Sequence, residues 1–127
     1  MSANDALVLV GHGSRAPEAN AALADLARML ARDAGVRAFP GYLEMTEPTI
    51  PGALRAAAST GAHRIVVVPY FLSPGMHVRR DLTAIVVAAR AELGVTIEIS
   101  DFLGAHPEVP RLLAELARNA LSAGVRS

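Results

Sequence analysis

The sequence predicts an α/β fold: a single four-stranded parallel sheet, in the order 2-1-3-4, with helices on both faces. Three observations lead there. Two short runs, Leu7 to Val10 and Ile65 to Val68, are apolar at every position, as strands covered on both faces are. Each strand-like run is followed by a longer stretch with helical periodicity, and that alternation means parallel strands joined by helices. Two further short runs carry the marks of edge strands.

Taken in chain order, the first apolar run stops at Gly11. Leu23, Leu26, Ala27 and Leu30 then keep the i, i+3, i+4, i+7 spacing of an amphipathic helix. Pro17 sits near its start and Gly35 just past its end, the usual asymmetry. Val36 to Glu44 reads as a second strand, and Pro40, which cannot donate to a ladder, puts it at an edge. A second helix covers Ile50 to Ser59, with Pro51 in its first turn and Gly61 beyond it. The run at Ile65 is the second central strand. Val78, Leu82, Ile85, Val86, Ala89 and Leu93 mark the buried stripe of a third helix. Val95 to Ser100 alternates strictly, which predicts an edge strand with one exposed face. Val109, Leu112, Leu113, Leu116 and Ala120 form a last helical stripe, expected to be buried like the others, with Pro107 and Pro110 in its first turn. Two central and two edge strands, joined by right-handed crossovers, give the order 2-1-3-4. The topological switch point then lies between strands one and three, where such sheets bind ligands at the carboxyl ends of their strands.

Composition narrows the function. The 127 residues suit one domain spanning 1–127. Twelve basic and twelve acidic residues balance, which disfavours a strongly basic nucleic-acid binder or a cationic membrane-surface protein. The absence of cysteine excludes disulfides, thiolate metal sites and Cys nucleophiles. Every basic residue is Arg, which excludes a Schiff-base or P-loop lysine. Met1 to Asp5 has no basic region, and no apolar stretch reaches the ~20 residues of a membrane span. The expected location is the cytoplasm, with neither nucleic acid nor membrane as a partner.

The carboxyl edge collects the chemistry. His12 follows strand one between two glycines, Glu44 ends strand two, and His77 opens the helix after strand three. Neighbouring strands lie about 4.8 Å apart, so the three side chains can converge over strand one. Two imidazoles and a carboxylate make an open site for a divalent first-row metal. Bland readings stand beside this one. A histidine after a strand can simply bond loop backbone, although Gly11 and Gly13 allow a close approach that argues for more. His77 can be an ordinary first-turn residue. His106 reads best as a helix-start residue, and His63 lies at the opposite end of the sheet. Glu47 suits the dipole of a helix N-terminus. Arg79 and Arg80 sit near a helix N-terminus, where cations are mildly disfavoured, which suggests an anionic partner, with a plain solvated face as the other reading.

Gly11-His12-Gly13-Ser14-Arg15 lacks the third glycine of a dinucleotide loop, the Gly-Lys of a Walker A loop and the spacing of a nucleophile elbow. A phosphotransfer histidine remains open, though Arg15 lies three residues away instead of adjacent.

Four segments in order carry a resemblance. They are Leu9 to Arg15, Tyr42 to Ile50, Val68 to Leu82, and Leu103 to Pro107. Together they resemble the small sirohydrochlorin chelatases of the CbiX/SirB type over almost the whole chain. The resemblance implies a class II chelatase, which inserts a divalent metal into a tetrapyrrole without ATP. It makes His12 and His77 the metal-handling residues and Glu44 the carboxylate beside them. The metal, Co2+, Fe2+ or Ni2+, is then substrate, and no cofactor is permanently bound. Sirohydrochlorin would lay its apolar face on Tyr70, Phe71, Leu72 and Met76 and offer its carboxylates to Arg15, Arg79 and Arg80. A single domain resembles the short homodimeric members, so a homodimer with facing grooves is expected. Free imidazole titrates near pH 6.5, so delivery by histidine implies activity that falls on acidification. A non-catalytic metal or tetrapyrrole carrier using the same groove is the alternative.

Overall fold

The computed structural model describes residues 4–124. Its elements follow the sequence pattern: β1 (Asp5–Gly11), α1 (Pro17–Ala34), β2 (Arg37–Tyr42), α2 (Ile50–Ser59), β3 (Arg64–Pro69), α3 (Met76–Leu93), β4 (Thr96–Ile99) and α4 (Val109–Ser122), with a 3-10 turn at Leu103–Ala105. The four strands form one sheet in the order β2-β1-β3-β4, and every pairing is parallel. Both edge assignments hold. Pro40 lies opposite Leu9 in β2, an edge position where a missing N–H is tolerated.

Strand register sorts side chains onto two faces, because successive residues point to opposite sides. Val8, Val10, Ile65, Val67 and Ile97 meet Ile50, Leu54 and Val86 of α2 and α3, and all eight are fully buried. Each such side chain contributes about 1.5–3 kcal/mol through burial. On the other face, Leu9 and Tyr42 pack with Leu23 and Ala27 of α1. Thr49 starts α2 by accepting a hydrogen bond on its side chain from the Gly52 N–H, at 3.1 Å.

Three expectations need correcting. The second strand ends at Tyr42 and not at Glu44. There the chain turns through Met45, at φ 74°, and a cis Glu47–Pro48 bond, and Tyr42 bonds back to the Pro48 carbonyl. Pro107 lies outside the last helix: α4 starts at Val109 after a turn in which Glu108 N–H bonds the His106 ring. The apolar stripe of α4 is not buried at all, since the helix packs chiefly on the 3-10 turn before it and not on the sheet. In β4 only Ile97 is fully inside, and Ile99, at the carboxyl end, opens onto a hollow.

Candidate metal-handling site

β1 and β2 deliver their loops side by side. Past the strands, Leu43 N–H bonds the Gly11 carbonyl and Glu44 N–H bonds the His12 carbonyl, each at 3.0 Å. This continues the pairing of the two strands into the loops and fixes His12 beside Glu44. Gly13 makes the approach possible. Its φ is +96°, and a Cβ built there would stand 1.8 Å from the Glu44 carbonyl oxygen. A side chain cannot occupy that space.

The result is a direct contact: His12 Nε2 lies 3.1 Å from Glu44 Oε1, with both side chains more than half exposed, at 55% and 54%. With the hydrogen on Nε2, the ring donates to the carboxylate, and Nδ1 keeps the lone pair that a metal needs. A carboxylate bonded to the far nitrogen also raises the basicity of an imidazole ligand.

A second set of bonds stiffens the loop after His12. Ser14 N–H donates to Asn20 Oδ1 at 3.0 Å, Asn20 Nδ2 donates to the Ser14 carbonyl at 2.8 Å, and Ala16 N–H donates to Ser14 Oγ at 3.0 Å. The Tyr42 hydroxyl donates to the Asn20 carbonyl, and burial raises the phenol above its ordinary pKa. Asn20 and Tyr42 thus support the histidine loop, a role that helical periodicity and strand pattern do not reveal. With His12, Ser14, Leu26 and Tyr70 they line a hollow of about 250 Å³.

The β3 side contributes differently. Tyr70 extends the sheet by donating its N–H to the Val10 carbonyl at 2.8 Å. Tyr70, Leu72 and Met76 are exposed, while Phe71 is half-buried between the two hollows of this edge. Met45, on the β2 side, is also exposed. Exposed apolar side chains in one region favour an apolar ligand surface. Arg79 lies over the Phe102 ring, 4.9 Å from its centroid. The two border a hollow of about 330 Å³ that Phe71, Pro74, Leu82 and Ile99 also line. Arg15, Arg79 and Arg80 are exposed and form no ion pair among the described residues. Phe102 is a neighbour of the site that the sequence pattern did not single out.

His77 occupies the first turn of α3 and is exposed. Among the described residues, no group of three or more His, Asp or Glu side chains stands close enough to hold a metal ion. The structure therefore brings His12 and Glu44 together and leaves His77 apart from a common three-donor cluster. His106 has the bland role expected of it: its Nδ1 accepts the Glu108 N–H at 3.0 Å. His63 lies at the opposite end of the sheet, where its N–H donates to the Asn4 carbonyl. No helix among the described residues is long and apolar enough to cross a membrane.

The family model CbiX matches residues 6–120. A protein named sirohydrochlorin cobaltochelatase, from Methanocaldococcus jannaschii, is 46% identical over 82 residues, covering 61% of this chain and 55% of that protein. The chloroplastic sirohydrochlorin ferrochelatase of Arabidopsis thaliana is 35% identical over 104 residues, covering 80% and 46%. In these matches the chain spans about half the length of the curated relatives. Among solved structures, a putative cobalamin biosynthesis CbiX protein from Marinobacter aquaeolei VT8 superposes with a TM-score of 0.84 at 27% identity, over 94% of this chain and 99% of that one. SirB from Bacillus subtilis with Fe3+ gives a TM-score of 0.80 at 26% identity, over 96% of this chain and 48% of that one.

Proposed function

The chain belongs to the CbiX family, and from that premise we propose that it inserts a divalent metal, Co2+ or Fe2+, into sirohydrochlorin without ATP. The observation that carries this reading is the His12–Glu44 contact at the carboxyl edge, exposed, with His12 lining one hollow together with Tyr70 and Phe71. Ni2+ is a third candidate metal, since imidazole suits Co, Fe and Ni alike.

In this mechanism the metal is a substrate, and the protein keeps no resident cofactor. His12 holds the incoming ion through a neutral ring nitrogen. His77 is the second metal-handling residue, reaching the ion from the start of α3 as the macrocycle settles. Few protein ligands suit the task, because an ion bound by four would not be released. The macrocycle lies against Tyr70, Phe71, Leu72 and Met76. Arg15, Arg79 and Arg80 pair with its carboxylates through charge-assisted hydrogen bonds. As two pyrrole nitrogens bind the metal, two N–H protons must leave. Glu44 accepts the first as general base and passes it to water, then takes the second. Since Glu44 also bonds His12, proton removal and metal release occur at adjoining atoms. The single domain works as a homodimer, with a second copy closing the ligand face that one copy leaves wet.

The test is the absorption spectrum of sirohydrochlorin with Co2+ over time, with and without the purified protein. Repeated turnover supports insertion. A spectral shift that saturates at one equivalent, with no acceleration by Co2+, Fe2+ or Ni2+, means a carrier instead.

A further inference from the structure

The hollow at the ends of β3 and β4 carries a cation without an anion. Arg79, at the start of α3, lies over the Phe102 ring, 4.9 Å from its centroid and within the ~6 Å reach of a cation–π contact. Its Nε donates to the Pro74 carbonyl at 3.4 Å. Its two terminal nitrogens make no hydrogen bond or ion pair among the described residues. Asp101 precedes the ring and lines the same hollow, yet Arg79 forms no ion pair with it. A guanidinium is a planar fork that fits a carboxylate at two points. Here the ring and a backbone carbonyl hold the fork, and its end is unused.

The ring is fixed from both sides. Ser100 N–H bonds the Val67 carbonyl at 2.9 Å, and Gly104 N–H bonds the Phe71 carbonyl at 3.0 Å. The segment carrying Phe102 is thus tied to β3 at one end and to the loop after β3 at the other. Phe102 is half-buried and Arg79 exposed, so the ring is the anchor and the charge is presented. Phe71, Leu82 and Ile99 give the hollow an apolar wall. An apolar wall beneath a guanidinium suits a carboxylate on a short hydrocarbon stem. At about 330 Å³, the hollow is at the small end of the ~300–1,000 Å³ of small-ligand pockets. It has room for one arm of a ligand and not for a whole macrocycle.

Its position fits such an arm. Phe71 lines this hollow and the one beside His12 alike. The gap between β3 and β4 lies one and a half strand spacings from β1, about 7 Å across the edge. A carboxylate on the rim of a tetrapyrrole stands off a central metal by a comparable step.

We propose that this hollow is a carboxylate subsite, in which Phe102 holds the Arg79 guanidinium so that its terminal nitrogens clasp a carboxylate arm of the macrocycle while the arm's methylenes lie on Phe71, Leu82 and Ile99. Phe102 acts through Arg79 and is a positioning residue. Asp101, an exposed acid on the same hollow, opposes the bound carboxylate and keeps its affinity moderate. The proposal rests on the chelatase reading only for the identity of the ligand.

The test is binding of metal-free sirohydrochlorin, followed by its absorption spectrum, so that no turnover is needed. Arg79→Gln should weaken binding about tenfold. Phe102→Leu should weaken it about threefold, and Phe102→Tyr, which keeps a ring beneath the cation, should restore it. The double variant Arg79→Gln/Phe102→Leu should bind like Arg79→Gln alone, because the ring has no other cation to hold. Asp101→Asn should bind about twofold more tightly. In the insertion assay these changes should appear in KM and not in kcat. Arg79→Gln as tight as wild type, a double variant in which the two losses multiply, a weaker Asp101→Asn, or no binding of the macrocycle overturns the proposal. Free propionate is titrated separately by calorimetry. Propionate that binds through Arg79 while macrocycle affinity ignores Arg79 makes the hollow a site for a separate acid and rules out the arm. Insertion of metal with affinity indifferent to Arg79 and Phe102 removes the subsite and leaves the chelatase reading. Binding that depends on both residues without any insertion does the reverse.

Discussion

Over β1 and β2 the carboxyl edge is tied down: Gly13 rests against the Glu44 carbonyl, Ser14 is bracketed by Asn20, and two hydrogen bonds carry the strand pairing into the loops. Over β3 and β4 the same edge is loose at its surface. Leu72 and Met76 stand 69% and 64% exposed, Arg79 has an aromatic ring but no carboxylate, and α4 has no sheet beneath it. On the proposed chemistry, the difference would separate two tasks. Atoms that handle a metal and protons need fixed positions. A surface for a large planar ligand, or for a second subunit, needs exposed apolar area that binding then covers.

The largest effect should come from forcing a side chain into the rigid half. Gly13→Ala meets both a positive φ and a backbone carbonyl, so an expected loss of about 4 kcal/mol would show in urea denaturation. Gly104 makes an equally close approach in the loose half, where a Cβ would stand 1.7 Å from the Leu72 carbonyl oxygen. Gly104, unlike Gly13, has no left-handed φ, so Gly104→Ala meets the carbonyl without the added backbone strain and should cost less, about 2 kcal/mol. Equal losses at the two glycines would erase the contrast between the halves.

Next is chemistry without stability. His12→Ala should lower metal insertion about 100-fold, equivalent to about 2.7 kcal/mol of barrier, while the denaturation midpoint stays put. In the loose half, Leu72→Ala with Met76→Ala should raise KM for sirohydrochlorin about tenfold and leave kcat nearly unchanged, since both side chains offer only apolar contact. If kcat fell instead, these residues would belong with the rigid group.

The smallest effect belongs to Tyr42, which supports the histidine loop from beneath. Tyr42→Phe removes its bond to the Asn20 carbonyl, at an expected cost of about 1 kcal/mol. Burial raises the Tyr42 phenol, so the folded state keeps its proton to higher pH than the unfolded chain does. That contribution to stability is complete below the ordinary phenol pKa and is lost as pH rises through the raised one. Denaturation of Tyr42→Phe should lack that alkaline component.

Much of this was readable in the sequence. Pro40 and the alternation of Val95 to Ser100 marked the edges, and with two wholly apolar runs they left a single reasonable strand order. That His12 and Glu44 meet was legible because each follows one of two neighbouring strands at the carboxyl edge. The glycines around His12 signalled a close approach, but only the folded chain identifies the approaching group as the Glu44 backbone. Periodicity located the α4 stripe correctly and misjudged its burial, because a pattern marks an apolar face and not what packs against it. The distance of His77 from the pair was likewise illegible. It depends on the path of the loop from Tyr70 to Gly75, where no repeating pattern constrains the backbone.

The most direct measurement is the rate of Co2+ insertion into sirohydrochlorin for the wild-type chain, His12→Ala, Glu44→Gln and the double variant. If the two side chains act as one unit, each single variant should lose about 100-fold, and the double should fall no more than a few-fold further. Single variants as fast as the wild type would contradict a role for the pair, and losses that multiply in the double variant would contradict their acting together.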